Sequence, residues 1–582
     1  MLRLRGVQNR RSIPRKVGFE HSPASLPLAN LASPNDEVDF AAGDLDADGW
    51  TDLVVVRKIP WTKPGPRTNY LLMNEGGVLT DRTAQYASAS DTPGDGGFLT
   101  ATTDRDVVLT DVDQDGWLDV VTTTALMDGS PKWLSHPRVY RNLGEVGGAW
   151  QGLVHEAARI PQLFTAGGNP VASRSNAVLA GDVTGDGYPD LYLVDHDSGV
   201  GGYSQPFGTD LDDRLLINDG TGFFADETFL RMQSLMYSGN FGTSGQIVDL
   251  NLDGVADILR NTTNNPNDVS VAYNDPSSEG QFNIYHVFHN EAPYHVEAGD
   301  LNNDGRPDVV VGDDFKDKYR FNMGVDALGR VQWSAATPFD FLTGGDDGFV
   351  GNIRIADLDQ DGWNDVLVAD VDVDVSGGSF RRMHIYHNLG GAPGADDIVL
   401  REERESTSSS PGEWIGAVGF EQADLEDTFD VIPFDVNGDG WLDVVTGSFT
   451  GTRVYLNQGD GVVCQPDLGF AGPGTAVLSV CGGSLGPGQS AALSLLNAPP
   501  AAPAWLVIAL ATSPTPLFGG TLVPFPPALV LAGATDGSGS LTMPAIAGGG
   551  GPATVYVQGV YYDPALAGEF GFSNALEVVF LP

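Results

Sequence analysis

The sequence predicts an all-β chain: a seven-bladed β-propeller followed by a small β-sandwich. Three observations carry this. A nine-residue aspartate-glycine pattern returns seven times, its copies starting 67, 71, 67, 51, 57 and 78 residues apart. Short β-branched runs, with no helical periodicity, flank the copies. Composition then shifts near residue 463: the remaining 119 residues hold five acids and no Lys, Arg or His.

The first copy lies in "GDLDADGWTDLVVV", Gly43 to Val56. Calcium is a hard ion that takes six to eight oxygens. Positions 1, 3 and 5 of the loop offer side-chain oxygens from alternate residues. Position 6 is Gly, as a turn through positive φ requires. Position 7 offers a backbone carbonyl, and position 9 is always Asp. The candidate ligands of the first loop are Asp44, Asp46, Asp48, Trp50 and Asp52. The second has Asp111, Asp113, Asp115, Trp117 and Asp119; the third has Asp182, Thr184, Asp186, Tyr188 and Asp190. The fourth has Asp249, Asn251, Asp253, Val255 and Asp257; the fifth has Asp300, Asn302, Asp304, Arg306 and Asp308. The sixth has Asp357, Asp359, Asp361, Trp363 and Asp365; the seventh has Asp435, Asn437, Asp439, Trp441 and Asp443. Thr or Asn at position 3 keeps an oxygen while lowering the charge. Up to seven Ca²⁺ are expected.

An EF-hand closes with a Glu at position 12 and sits between helices. Here the last candidate ligand is at position 9. Strand-like runs stand on both sides, such as "VDFAAG" before the first loop and "LVVV" after it. A third strand ending in Asn follows ("NYLLMN", "RVYRN", "DRLLIN"), then a fourth such as "VLTDRTA". Four strands per unit and seven units is the arithmetic of a propeller. The last unit lacks a fourth strand, and the orphan "VGFEHSPA" (Val17–Ala24) is expected to supply it and close the ring.

These loops, with the Phe-Gly lead-in of "FGTSGQIVDLNLDG" (Phe241–Gly254), resemble FG-GAP/VCBS repeats, the propeller repeats of integrin α subunits and of many secreted bacterial proteins. The resemblance covers about residues 17–462. It implies mainly structural calcium in the turn between strands 1 and 2 of each blade. It also implies ligand binding on the opposite face, built from the 2–3 and 4–1 loops, and an extracellular or cell-surface location.

Three regions follow: a basic tail (1–16), the propeller (17–462) and the sandwich (463–582). The tail carries six basic residues and no acid, like the basic part of an export signal, but no apolar core follows it. The sandwich shows short apolar strands such as "WLVIALA" and "TVYVQGVYY" between Gly/Pro turns. Attachment or sorting, or sugar binding through its aromatics, are its expected roles. Cys464 and Cys481 are the two cysteines, read as one disulfide or as two buried thiols. A bridge would add about 3 kcal/mol by loop entropy.

Net charge is −46, from 31 Lys+Arg and 77 Asp+Glu, which excludes nucleic acid and anionic membranes as natural partners. No apolar run is long enough to span a membrane as a helix. HEXXH, nucleophile-elbow and P-loop motifs are absent. The paired histidines His286/His289 and His384/His387 are three apart on strands, so the members of each pair point to opposite faces. Trp50, Trp117, Trp363 and Trp441 at position 7 are read as inter-blade packing or as sugar platforms. Trp61, Trp133, His196, Tyr203, Asp313 and Phe315, on the variable 2–3 loops, are the candidate ligand contacts.

The expected function is a monomeric calcium-binding module that recognises a protein or glycan, including in adhesion, and is not an enzyme. The alternative is an extracellular polysaccharide lyase or hydrolase. That alternative requires basic groups and metal-free acids converging at the centre of the loop face.

Overall fold

The computed structural model describes residues 19–27, 36–58, 65–125, 130–164, 168–170, 174–195, 212–237, 241–263, 267–291, 293–313, 316–339, 349–371, 383–395, 398–402, 428–448, 451–459, 463–464, 467–470, 472–474, 476–482, 485, 490–537, 539–549, 551, 553–566 and 568–580. The chain divides into two compact units, one from Phe19 to Asn457 and one from Gln458 to Pro582.

In the first unit every Asp loop joins two antiparallel strands, and each loop begins a separate sheet. The first sheet runs Glu37–Gly43, Asp52–Arg57, Tyr70–Asn74 and Leu79–Asp81 in sequence order. Six further sheets repeat this order around the remaining loops. The second adds the short strand Ala89–Ser90, paired in parallel with Leu153–His155. The fifth follows its third strand with an extra hairpin, Asn322–Val325 and Val331–Trp333. The orphan strand Phe19–His21 pairs antiparallel with Arg453–Asn457, so both chain ends of the unit share one sheet. The innermost strands touch in succession, and Thr428–Phe434 returns to Glu37–Gly43, which makes the ring closed.

The alternation of side chains along a strand explains the core. Val54 and Val56 face the second sheet and pack with Val107, Val120 and Tyr140. Leu53 and Val55 face the seventh and pack with Phe434, Val445 and Val454. The second strands Asp52–Arg57, Asp190–Asp195 and Asp308–Asp313 are buried along their whole length. Burial on both faces is why "LVVV" and "DVVVGD" read as near-continuous apolar runs.

The second unit holds two main sheets. One contains Val463–Cys464, Val477–Gly482, Ser490–Leu496 and Leu541–Ala547; the other contains Asp467–Gly469, Phe570–Phe580, Ala553–Tyr562, Pro503–Ala509 and Leu529–Ala534. Leu478, Val480, Leu493 and Leu495 of the first pack on Leu506, Val557, Tyr561 and Leu576 of the second, which is a sandwich core. Tyr561 and Phe572 are buried, so these two aromatics serve packing. Cys464 and Cys481 are direct cross-strand partners in the backbone; the expected bridge concerns side chains outside those described. No helix among the described residues is long and apolar enough to cross a membrane.

Candidate functional site: the Asp loops and the central cavity

Each Asp loop is wound around its own carboxylates. In the first, Asp44 accepts the N–H groups of Asp48 (3.1 Å) and Gly49 (2.9 Å), and Asp48 accepts that of Trp50 (2.9 Å). Position 6 takes positive φ in every loop, from 81° at Gly305 to 97° at Gly254. Position 4 does so too, at Ala47, Gln114, Leu252, Asn303 and Gln360 as well as at Gly185 and Gly438. Position 4 is thus a second left-handed residue that the sequence pattern did not mark.

Position 9 has a double role. Asp52 accepts Leu45 N–H at 2.9 Å through one oxygen and Asn74 N–H at 2.8 Å through the other. The same pair of bonds recurs at Asp119, Asp190, Asp257, Asp308, Asp365 and Asp443. The Asn that ends the third strand, or in the fifth sheet opens the hairpin just after it, then reaches the preceding sheet. Asn142 donates its side-chain amide to Leu45 O, Asn218 to Val112 O and Asn274 to Val183 O, all at 2.8 Å. Asn322 reaches Leu250 O at 2.8 Å, and Asn388 and Asn457 reach Leu301 O and Leu358 O at 2.9 Å. Asn74 closes the belt on Val436 O. Position 2 therefore gives its N–H to its own Asp, its carbonyl to the next sheet and its side chain to the core. The repeated terminal Asn was visible in the sequence; its reach to the neighbouring sheet was not.

Burial pushes the position-9 carboxyls up, to about 7 for Asp52, Asp119, Asp308, Asp365 and Asp443, about 8 for Asp257 and about 6 for Asp190. Backbone N–H groups pull them down, and neighbouring loop acids push further up. In the first and second loops three Asp carboxylates offer oxygens within 4.8 Å of one another, as do Asp357, Asp359 and Asp365 in the sixth. Asp113 Oδ1 is buried and accepts no hydrogen bond among the described residues, whereas Asp359 Oδ2, also buried, is ion-paired with His387 Nε2 at 2.8 Å. Crowded, desolvated acids with unused oxygens are what a divalent cation satisfies, so the residues fit calcium. Two loops also have an arginine on one of their aspartates: Arg159, from outside the loop, pairs with Asp113 at 3.1 Å, and Arg306, at position 7, pairs with Asp304.

The position-7 tryptophans are half-buried. Trp50 lies over Gly438 of the seventh loop, whereas Trp117 and Trp363 cover Gly144 and Gly390 of their own sheets. Packing is thus inter-blade at one and intra-blade at two.

Of the loop-face candidates, Trp61, His196, Tyr203 and Phe315 lie outside the described residues. Trp133 sits on the short helix Lys132–Ser135, where its carbonyl accepts Arg138 at 3.2 Å. Asp313 is fully buried, 3.0 Å from His289 Nε2 and 2.5 Å from Lys318 Nζ. Trp133 belongs to the second sheet and Asp313 to the fifth, so the structure does not bring these two together.

What converges instead is at the centre. The first halves of the innermost strands line a cavity of about 180 Å³. Asp39, Asp106, Glu297, His295, Arg105 and Arg354 all face it. Three carboxylates tie sheet to sheet: Phe40 N–H donates to Asp430 at 2.7 Å, Val107 to Asp39 at 3.0 Å and Val178 to Asp106 at 2.6 Å. Arg354 stands 3.8 Å from Asp39 and 3.7 Å from Asp430. Burial, then repulsion from Asp106 and Asp430, holds Asp39 well above the usual carboxylate range. Burial raises Glu297 to about 7, with Arg354 drawing it down, and lowers His295 to about 3. His295 Nδ1 is buried without a hydrogen-bond partner among the described residues. The signal was present in sequence as the triplets Val38-Asp39-Phe40, Arg105-Asp106-Val107 and Phe429-Asp430-Val431. They occupy one place in three innermost strands, but no local motif marks them.

A closed ring of four-stranded sheets, each opened by a loop wound on aspartates, defines a β-propeller. The family model described as FG-GAP-like repeat matches residues 111–193 and 249–311, so these segments, which hold the second, third, fourth and fifth Asp loops, carry FG-GAP-like repeats. No curated protein matches this sequence. Among solved structures it is similar to an Agrocybe aegerita lectin whose structure concerns specific recognition of non-reducing terminal N-acetylglucosamine. That likeness has 18% identity and a TM-score of 0.38, over 66% of this chain and 83% of the lectin. It is also similar to an exo-β-1,3-galactanase of Phanerochaete chrysosporium, with 9% identity and a TM-score of 0.30, over 85% of this chain and 99% of that one.

Proposed function

We propose that this chain is an extracellular or cell-surface, seven-bladed propeller that recognises a protein or glycan at the face opposite its Asp loops. Up to seven calcium ions serve it as structural clips. Positions 1, 3, 5 and 9 of each loop, with the position-7 carbonyl, would hold the ion. Calcium neutralises the crowded carboxylates; the chain's own residues do the rest. Position 9 and the terminal Asn carry the ordered loop into the neighbouring sheet, so loop order becomes ring rigidity. A rigid ring presents variable loops at little entropic cost.

The central cavity is the observation that carries the ligand reading, because it opens among the strand ends away from the Asp loops and combines donors with acceptors. Arg354 and His295 beside Asp39, Asp106 and Glu297 also favour a second reading, an enzyme acting on polysaccharide. This is the convergence of basic groups and metal-free acids that the sequence required of that alternative. Glycan-array binding and polysaccharide turnover, measured in calcium on the full chain and on Arg354→Ala, test both. Glycan binding lost in the variant, without turnover, supports the binding module. Turnover abolished by Glu297→Gln supports the enzyme. Absence of both glycan binding and turnover would leave a protein ligand as the target of the module.

A further inference from the structure

The two main sheets of the second unit end in four edge strands, and three of these are blunted. Val463–Cys464 has two residues, and Asp467–Gly469 has three with a register shift. Leu541–Ala547 is shifted in register against Ser490–Leu496 and contains Pro544, which has no N–H to offer. The fourth, Leu529–Ala534, keeps an unbroken register with Pro503–Ala509, and its sequence LVLAGA holds no charge and no Pro. Thr535 N–H donates to Ala502 O at 2.9 Å. Counting back along the antiparallel ladder, Leu529, Leu531 and Gly533 turn their backbone groups to Pro503–Ala509. Val530, Ala532 and Ala534 turn theirs to the open edge, beyond which no strand lies among the described residues. Leu529 and Val530 are half exposed.

Such an edge is a template for a further strand. Charge and shape select a second copy of this chain as the source. Residues 464–582 hold five of the 77 acids and none of the 31 basic residues, so −41 of the −46 net charge lies before them. From Leu468 to Thr535 there is no charged residue at all. Two such acidic chains repel elsewhere but can meet here, and nothing on the edge would select a partner of opposite charge. We propose that Leu529–Ala534 pairs antiparallel with the same strand of a second copy, about a two-fold axis at Ala532. Ala532 then faces its own copy and Val530 faces Ala534, so small side chains meet without a clash. Each facing pair exchanges two backbone hydrogen bonds, and the contact closes on itself as a two-fold interface does. The two five-stranded sheets become one. The monomer expected from the sequence becomes a pair that presents two propellers, which adds avidity whatever the propeller recognises.

Analytical ultracentrifugation of the full chain in calcium tests this. The wild type is expected to sediment as a dimer that dilution dissociates. Ala532→Lys and Ala532→Glu should each dimerise about tenfold more weakly, because like charges meet at the axis. An equimolar mixture of the two variants should restore the dimer, because opposite charges then meet there. A wild type that stays monomeric at high concentration overturns the proposal and leaves the edge to a strand of another protein. Variants that dimerise as the wild type does, or a mixture no more dimeric than its components, overturn it too. Hydrogen exchange on the wild type decides the matter even where the variants do not fold. The amides of Val530, Ala532 and Ala534 should be protected at high concentration and exchange freely on dilution; exchange that ignores concentration would place the contact elsewhere.

Discussion

The side-chain amide of Asn74 donates to the carbonyl oxygen of Val436 at 2.8 Å, joining residues 362 positions apart. This bond is the last link of a seven-membered belt in which every sheet holds the loop of the one before it. Breaking it leaves a buried carbonyl unpaired, which costs about 1–3 kcal/mol. Asn74→Ala is therefore expected to lower stability by that amount in denaturant unfolding, and Asn218→Ala by a similar amount. A silent Asn74→Ala beside a costly Asn218→Ala would show that the ring is not closed at this seam.

Positions 5 and 9 of one loop separate metal binding from scaffold. Asp443 accepts Val436 N–H at 2.8 Å and Asn457 N–H at 2.7 Å in the buried scaffold, whereas Asp439 is exposed and accepts only within its own loop, from Trp441 N–H at 2.9 Å and the Asn437 side-chain amide at 3.0 Å. In excess chelator, Asp443→Ala is expected to remain destabilised by about 2–4 kcal/mol, the cost of two unpaired buried donors. Asp439→Ala should then be nearly neutral, and in calcium both variants should fall below the wild type, with Asp443→Ala still the less stable of the two. Thermal melts of both variants, with and without chelator, check this.

Loops two and five each have an arginine paired with one of their aspartates. Arg159 on Asp113 and Arg306 on Asp304 supply charge that a bound cation would supply in the proposed reading of the other loops. These two loops are expected to be the weaker calcium sites. Arg306→Ala should raise the number of tight sites seen by calorimetric titration by one. An unchanged titration would show that Arg306 does not compete with the ion.

Glu37 gives a pH dependence with a definite sign. It is fully buried, its oxygens accept no hydrogen bond among the described residues, and burial raises its carboxyl to about 8 despite Arg57 at 3.9 Å. The folded chain keeps this proton at pH values where the unfolded chain has lost it. Its contribution is therefore complete below about pH 4.5 and is lost as pH rises through about 8. Glu37→Gln is expected to match the wild type near pH 5 and to exceed it in stability at pH 9. A constant difference across that range would place the Glu37 pKa elsewhere.

The sequence made the loops legible because their chemistry is local: nine residues contain the candidate ligands, the left-handed glycine and the closing Asp. The sheet order and the closing strand Phe19–His21 were legible by strand arithmetic for the same reason. The Asn belt was half legible, since Asn recurs at each third strand but its partner lies in another repeat. The central cluster left only an Asp at one place in three innermost strands, with no motif to mark it. Asp39 is more than three hundred residues from Arg354 and Asp430 in the chain and meets them only because the ring closes. His387 was read as one of two histidines on opposite faces, and only the fold shows that one of those faces is the sixth loop.

The central claim is that calcium holds the ring together through its loops. Thermal unfolding of the full chain in millimolar calcium and in excess EDTA tests it most directly. A ligand present at a hundred times its dissociation constant adds about 2.7 kcal/mol per site. The account predicts a melting temperature lowered by many degrees in EDTA and restored by added calcium; an unchanged melting temperature would contradict it.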